Sequence, residues 1–152
     1  MAKEKKKKSG SGKIAVVVSR FNSEVTNGLL SGAMGVLTGS GFSEKDVKII
    51  ECPGAFEIPL VVKQLCRSGK YCGIICLGAV IKGETAHFEY ISGAVSRGIA
   101  QLTLDYNIPV SFGVLTCFTD EQAVRRSSND AENKGAEAAK STLEMIDILK
   151  SI

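Results

Sequence analysis

Histidine is all but absent from this sequence of 152 residues; the single one stands at position 87. A zinc site therefore lacks its usual complement of ligands, and no metal is expected. The five cysteines (Cys52, Cys66, Cys72, Cys76, Cys117) are odd in number, and none forms a Cys-x-x-Cys pair. With no export signal in view, that pattern argues for buried thiols and against a disulfide framework. Long apolar runs are missing too. None approaches the roughly 18 residues of a membrane-spanning helix. The charged N-terminus also lacks the apolar middle of a secretory signal, so the expected compartment is the cytoplasm. Nucleotide fingerprints are absent: no Gly-x-Gly-x-x-Gly follows the first apolar run, and Gly10-Ser11-Gly12-Lys13-Ile14 fails the phosphate-loop pattern because Ile follows Lys. A Ser-His-Asp hydrolase would need a Gly-x-Ser-x-Gly elbow, which is not there.

What is present makes one ordinary domain, since domains usually run to roughly 100–200 residues. Apolar residues at 44% and charged residues at 23% leave enough material for a core. The net charge of +3 is misleading. Five lysines (Lys3, Lys5, Lys6, Lys7, Lys8) against Glu4 leave residues 1–10 at +4, and hence the remainder at −1. A nucleic-acid binder would carry a basic stripe on its folded face. Neither nucleic acid nor membrane is an expected partner. Residues 1–12 read as a flexible, solvated leader ending in Ser9-Gly10-Ser11-Gly12, and residues 13–152 as one domain.

Two patterns alternate along the body. Ile14-Ala15-Val16-Val17-Val18, the weaker Val47-Lys48-Ile49-Ile50, residues 74–81 and residues 110–116 are unbroken apolar runs. Such runs suit strands buried on both faces of a parallel sheet. Between them, helical spacing links Leu29, Leu30, Ala33, Met34 and Leu37, then Leu60, Val61 and Leu65, then Ile91, Val95, Leu102 and Tyr106, and last Ala139, Leu143, Ile146 and Leu149. A short helix is expected around residues 120–126. Glycine or proline punctuates most junctions. Four strands joined by helices imply right-handed crossovers and an α/β fold, a three-layer α/β/α sandwich. The first strand is the most apolar, so it belongs in the interior of a flavodoxin-like, four-stranded parallel sheet of order 2-1-3-4.

Ligands of such sheets bind beyond the carboxyl ends of the strands. The first strand ends at Phe21, which alone reads first as a ring sealing the sheet edge and second as a stacking surface. The second ends in Cys52-Pro53-Gly54-Ala55-Phe56-Glu57, where a tight turn precedes Glu57. Glu57 reads either as a complement to the helix dipole or as an acceptor for substrate hydroxyls. The third ends in Val80-Ile81-Lys82-Gly83-Glu84-Thr85-Ala86-His87. Free amides of Gly83, Glu84 and Thr85 at a helix start suit an anion. His87 reads either as structural or as the proton carrier, being the one residue type that titrates near neutrality. Beyond the fourth strand, Arg125 and Arg126 are either a solvated face or, through Arg126, a phosphate clamp with Lys134. These residues suggest a small, phosphorylated, hydroxyl-rich and aromatic ligand, and name no reaction.

Arg20-Phe21-Asn22, the stretch from Pro53 to Pro59, the stretch from Gly78 to Phe88, Phe112-Gly113-Val114-Leu115-Thr116 and Asn133-Lys134-Gly135 together resemble the lumazine synthase family, over residues 13–152. The resemblance implies a transferase of riboflavin biosynthesis. It would condense 5-amino-6-(D-ribitylamino)uracil with 3,4-dihydroxy-2-butanone 4-phosphate, giving 6,7-dimethyl-8-ribityllumazine, phosphate and water, without cofactor. It implies sites between the subunits of a homopentamer, in some members twelve pentamers in an icosahedral 60-subunit shell, and riboflavin synthase as a further partner. Carried over by position, Phe21 would stack on the pyrimidine. Ala55, Phe56 and Glu57 would hold the ribityl chain, and Val80, Ile81 and Lys82 would meet the ring edge through backbone groups. Phe112 would close the pocket from the neighbour. Gly83, Glu84, Thr85, Arg126 and Lys134 would take the phosphate, and His87 would move protons. The chain departs from the family pattern at Cys117-Phe118-Thr119 and in Ser128-Asn129-Asp130-Ala131-Glu132, which lacks an expected basic residue. The alternative is a non-catalytic flavin-binding, lumazine-binding or shell protein of the same fold.

Overall fold

The computed structural model describes residues 12–152. The leader expected at residues 1–12 therefore lies, except for Gly12, outside the described residues. Four strands, β1 (Lys13–Ser19), β2 (Val47–Cys52), β3 (Tyr71–Ile81) and β4 (Val110–Cys117), form one parallel sheet in the order β2-β1-β3-β4. That is the expected order. Its cause is visible in the burial pattern: β1 is buried from Ile14 to Ser19 and β3 from Gly73 to Val80. On β2, by contrast, Lys48, Ile49 and Glu51 face solvent, as an edge strand allows. β3 starts three residues before its apolar run, because Gly73 lets Thr142 and Ile146 close directly on the backbone.

Helices cover both faces. α1 (Ser23–Gly39), α4 (Asp120–Ser127) and α5 (Lys134–Ser151) pack on Ile14, Val16 and Val18 of β1, and α2 (Ile58–Ser68) and α3 (His87–Tyr106) on Ala15 and Val17. Strand side chains alternate between faces, so a single central strand feeds both cores. Each fully buried Ile, Leu or Val there, such as Ile14, Leu29 or Ile58, contributes roughly 1.5–3 kcal/mol.

The start of α5 rests on a buried polar hub. Asn133 caps α5 by accepting from Ala136 N at 3.0 Å. Its Nδ2 donates to Gly28 O (3.1 Å), Ser127 O (3.2 Å) and Ser128 O (3.0 Å). One side chain thus ties α1, the end of α4 and α5 together. Only glycine fits at position 135, since a Cβ there would collide with the carbonyl of Leu29.

Candidate active site

The strand ends are laced into a continuous rim. Arg20 N donates to Cys52 O (2.8 Å) and Phe21 N to Pro53 O (3.0 Å), joining β1 to β2. Asn22 Nδ2 donates to Ala79 O (3.2 Å), joining β1 to β3. Lys82 N donates to Cys117 O (2.8 Å), joining β3 to β4. Eleven of the residues expected at the site lie along this rim. Phe21 is 71% exposed, so its ring seals nothing, contrary to the simplest sequence reading. It lines a hollow shared with Ile81. A short 3-10 turn, Ala55–Glu57, follows β2, with Ala55 buried and Phe56 and Glu57 exposed. Glu57 precedes α2, but its side chain makes no capping hydrogen bond. Its carboxylate folds back over Gly54, where there is no Cβ to obstruct it.

Val80 is buried, whereas residues 82–87 are all exposed. Lys82, Gly83, Glu84 and Thr85 line a shallow depression with Ala86, Glu89 and Tyr90. His87 is the first residue of α3, and its amide donates to Thr85 Oγ1 at 3.4 Å. The threonine hydroxyl is thereby turned toward the helix start, where unpaired amides concentrate positive potential.

The remaining three residues lie elsewhere. Phe112, Arg126 and Lys134 line a cleft of about 610 Å³ along the open edge of β4. Phe112 pairs with Cys76, whereas Cys117 pairs with Ile81, so Phe112 stands five residues below the rim. At about 3.3 Å per residue the drop is about 16 Å. Arg126 Nη1 donates to Gln122 O at 3.2 Å, and Lys134 Nζ meets Glu137 Oε2 at 2.7 Å. Gly83, Glu84 and Thr85 are not in the cleft. One chain therefore holds the expected residues in two separate groups.

The two thiols nearest the site are held in the neutral form. Burial pushes Cys52 up to about 11, helped by the Glu57 carboxylate and opposed by Arg20. Burial also raises Cys117, partly offset by Arg126. Both are protonated at neutral pH. Among the described residues, no cluster of His, Cys, Asp or Glu is placed to hold a metal, and no helix is long and apolar enough to cross a membrane.

A family model described as 6,7-dimethyl-8-ribityllumazine synthase matches residues 11–150. A curated protein of Caulobacter vibrioides, 6,7-dimethyl-8-ribityllumazine synthase 1, is 54% identical over 140 residues, covering 92% of each chain. This chain belongs to the 6,7-dimethyl-8-ribityllumazine synthase family. With membership comes the family's activity class, that of a lumazine synthase, a transferase of riboflavin biosynthesis. Two residues that position the rim and the cleft, Asn133 and Asn22, are not legible from the sequence alone. Asn133 was visible only as part of a motif; its hub joins residues 105 positions apart. Asn22 adopts φ 61°, ψ 49°, a left-handed conformation that asparagine tolerates better than most residues. The Arg20-Phe21-Asn22 stretch held that signal, but the partner, Ala79, lies on another strand.

Proposed function

We propose that the rim of one subunit and the β4 cleft of the next close into one active site, in a homo-oligomer of at least five chains. There the protein condenses 5-amino-6-(D-ribitylamino)uracil with 3,4-dihydroxy-2-butanone 4-phosphate, releasing phosphate and water. The observation carrying this reading is the split itself. Phe112, Arg126 and Lys134 share a cleft that no residue from 83 to 85 enters. A head-to-tail ring brings such unlike surfaces together at every interface and closes on itself.

In this arrangement Phe21 stacks on the pyrimidine, with Phe112 of the neighbour closing over it. Ala55, Phe56 and Glu57 hold the ribityl chain, the Glu57 carboxylate accepting its hydroxyl protons. Val80, Ile81 and Lys82 border the ring. The phosphate lies on Gly83, Glu84 and Thr85, gripped from across the interface by Arg126, with Lys134 beside it. Arginine suits that task because its planar fork meets two phosphate oxygens at once. Condensing an amine with a ketone moves protons at nitrogen and carbon, and His87 carries them at the edge of the phosphate turn. The reading places the enzyme in the cytoplasm and keeps riboflavin synthase as a partner.

Complementation tests it. His87→Ala and Arg126→Ala subunits, each impaired alone at limiting phosphorylated substrate, are unfolded, mixed and refolded, and lumazine absorbance is followed with both substrates. Partial recovery is expected, since some interfaces then hold both wild-type halves. Light scattering should give about 80 kDa for five 16.1-kDa chains or about 970 kDa for sixty. An active monomer, or no recovery in mixed rings, overturns the shared site. Flavin binding without turnover by the wild type would instead favour a carrier.

A further inference from the structure

Phe118 lies in the Cys117-Phe118-Thr119 stretch and is 64% exposed, yet its backbone is tightly held. Its amide donates to Gln122 Oε1 at 2.9 Å, and Thr119 beside it caps α4 by accepting from Gln122 N at 3.2 Å. The ring stands 6.0 Å from that of Phe88, tilted by 44°. Lys82 Nζ lies 5.6 Å from its centroid. A cation within about 6 Å of an aromatic face is attracted to the negative face of the ring.

Charge makes that contact consequential. The depression at residues 82–86 is bordered by two carboxylates, Glu84 and Glu89, and by one cation, Lys82. Without that ammonium only the helix-start amides would oppose the two carboxylates. The Lys82 amide is already committed to Cys117, so its ammonium is the donor left to meet a ligand. A four-carbon stem samples many rotamers, and ordering it on binding opposes affinity. A ring that already favours one position reduces that loss.

We propose that Phe118 is a positioning residue: its ring, braced on Phe88, holds the Lys82 ammonium beside Gly83, Glu84 and Thr85 as an added charge for the substrate phosphate. This rests on the phosphate reading of that turn. Phe118→Leu should raise the KM for the phosphorylated butanone about 2- to 5-fold, the range of an exposed cation–π contact. The kcat and the KM for the pyrimidine should stay within about twofold. Phe118→Tyr should restore the wild-type value, and in a Lys82→Met background Phe118→Leu should add nothing. Calorimetry with inorganic phosphate should show the same weakening without turnover. If wild type failed to condense the two substrates, the functional reading would fall while the phosphate titration still decided this one. Equal rises in both KM values, or a full Phe118→Leu effect on phosphate binding in Lys82→Met, would overturn it. Should Phe118→Leu fold poorly, Phe118→Met, which also lacks the aromatic face, with and without Lys82→Met gives the same comparison: an effect on phosphate binding that vanishes with the ammonium supports the proposal, and an effect that is unchanged refutes it.

Discussion

The strand-end rim and the β4 cleft are built by opposite means. The rim is exposed and assembled from backbone bonds between neighbouring strands, with Asn22 adding one side-chain tie. The cleft is a gap between a sheet edge and two helices, and Asn133 fixes those helices from inside the core. Their side chains differ accordingly. The rim offers a carboxylate at Glu57, an imidazole at His87 and small residues around the turn. The cleft offers a ring and cations, Phe112, Arg126 and Lys134. On the proposed reading, the proton carrier lies in the rim while the phosphate contacts are divided between the rim turn and the cleft, so the two regions can be damaged separately.

The largest effect should come from the rim. His87→Ala should lower turnover roughly 10- to 1,000-fold, the usual range for losing a positioned acid or base. His87 is exposed at the first residue of α3, so its Tm should hardly move. Steady-state rates beside a melting curve check this. A large fall in Tm would make His87 structural and erase the difference between the regions.

Next comes the hub beneath the cleft. Asn133→Ala leaves three carbonyls and the Ala136 amide without this partner, at a cost of about 2–4 kcal/mol. Tm should drop by roughly 5–15 °C for a chain of this size. Affinity for the phosphorylated substrate should suffer before pyrimidine affinity does. If both fell alike, the cleft would not be an independent unit. Arg126→Ala should act more narrowly, losing about 1.5–3 kcal/mol of affinity for the phosphorylated butanone with Tm unchanged. Calorimetry with each substrate separates them, and equal weakening would make Arg126 a shaping residue.

The same contrast explains what the sequence made legible. The rim is local: each strand runs straight into its turn, so residues 53–57 and 82–87 announced themselves by composition, and the unbroken run at residues 14–18 marked the central strand. The cleft is non-local. Arg126 and Lys134 meet Phe112 only because Asn133 docks α5 against α1 and α4, and no local pattern encodes that docking. Lone aromatics misled for a related reason. Phe21 was expected first to seal an edge, but a neighbour that would cover it is not part of one chain's pattern. Phe118 stood out only within a departure from the family pattern, since its contacts come from Lys82 beyond β3 and Phe88 on α3.

The smallest effect is a pair of shifts of opposite sign. Cys52 lies under the rim beside Glu57 and Arg20, and Cys117 under the cleft near Arg126. Burial raises both above the ordinary value of 9.0, Cys52 to about 11. A folded chain that holds these protons longer than the unfolded one is stabilised below about pH 9 and loses that stabilisation as pH rises toward 11. Removing the local charge should then shift the two thiols in opposite directions. Glu57→Gln takes away a negative neighbour and should lower the Cys52 pKa, whereas Arg126→Ala takes away a positive one and should raise that of Cys117. Thiolate absorbance near 240 nm, taken as the difference between each variant and its Cys→Ser counterpart, reads each shift. No shift in either variant would mean that burial alone governs both thiols, and shifts of the same sign would mean that the rim and the cleft do not differ in local charge.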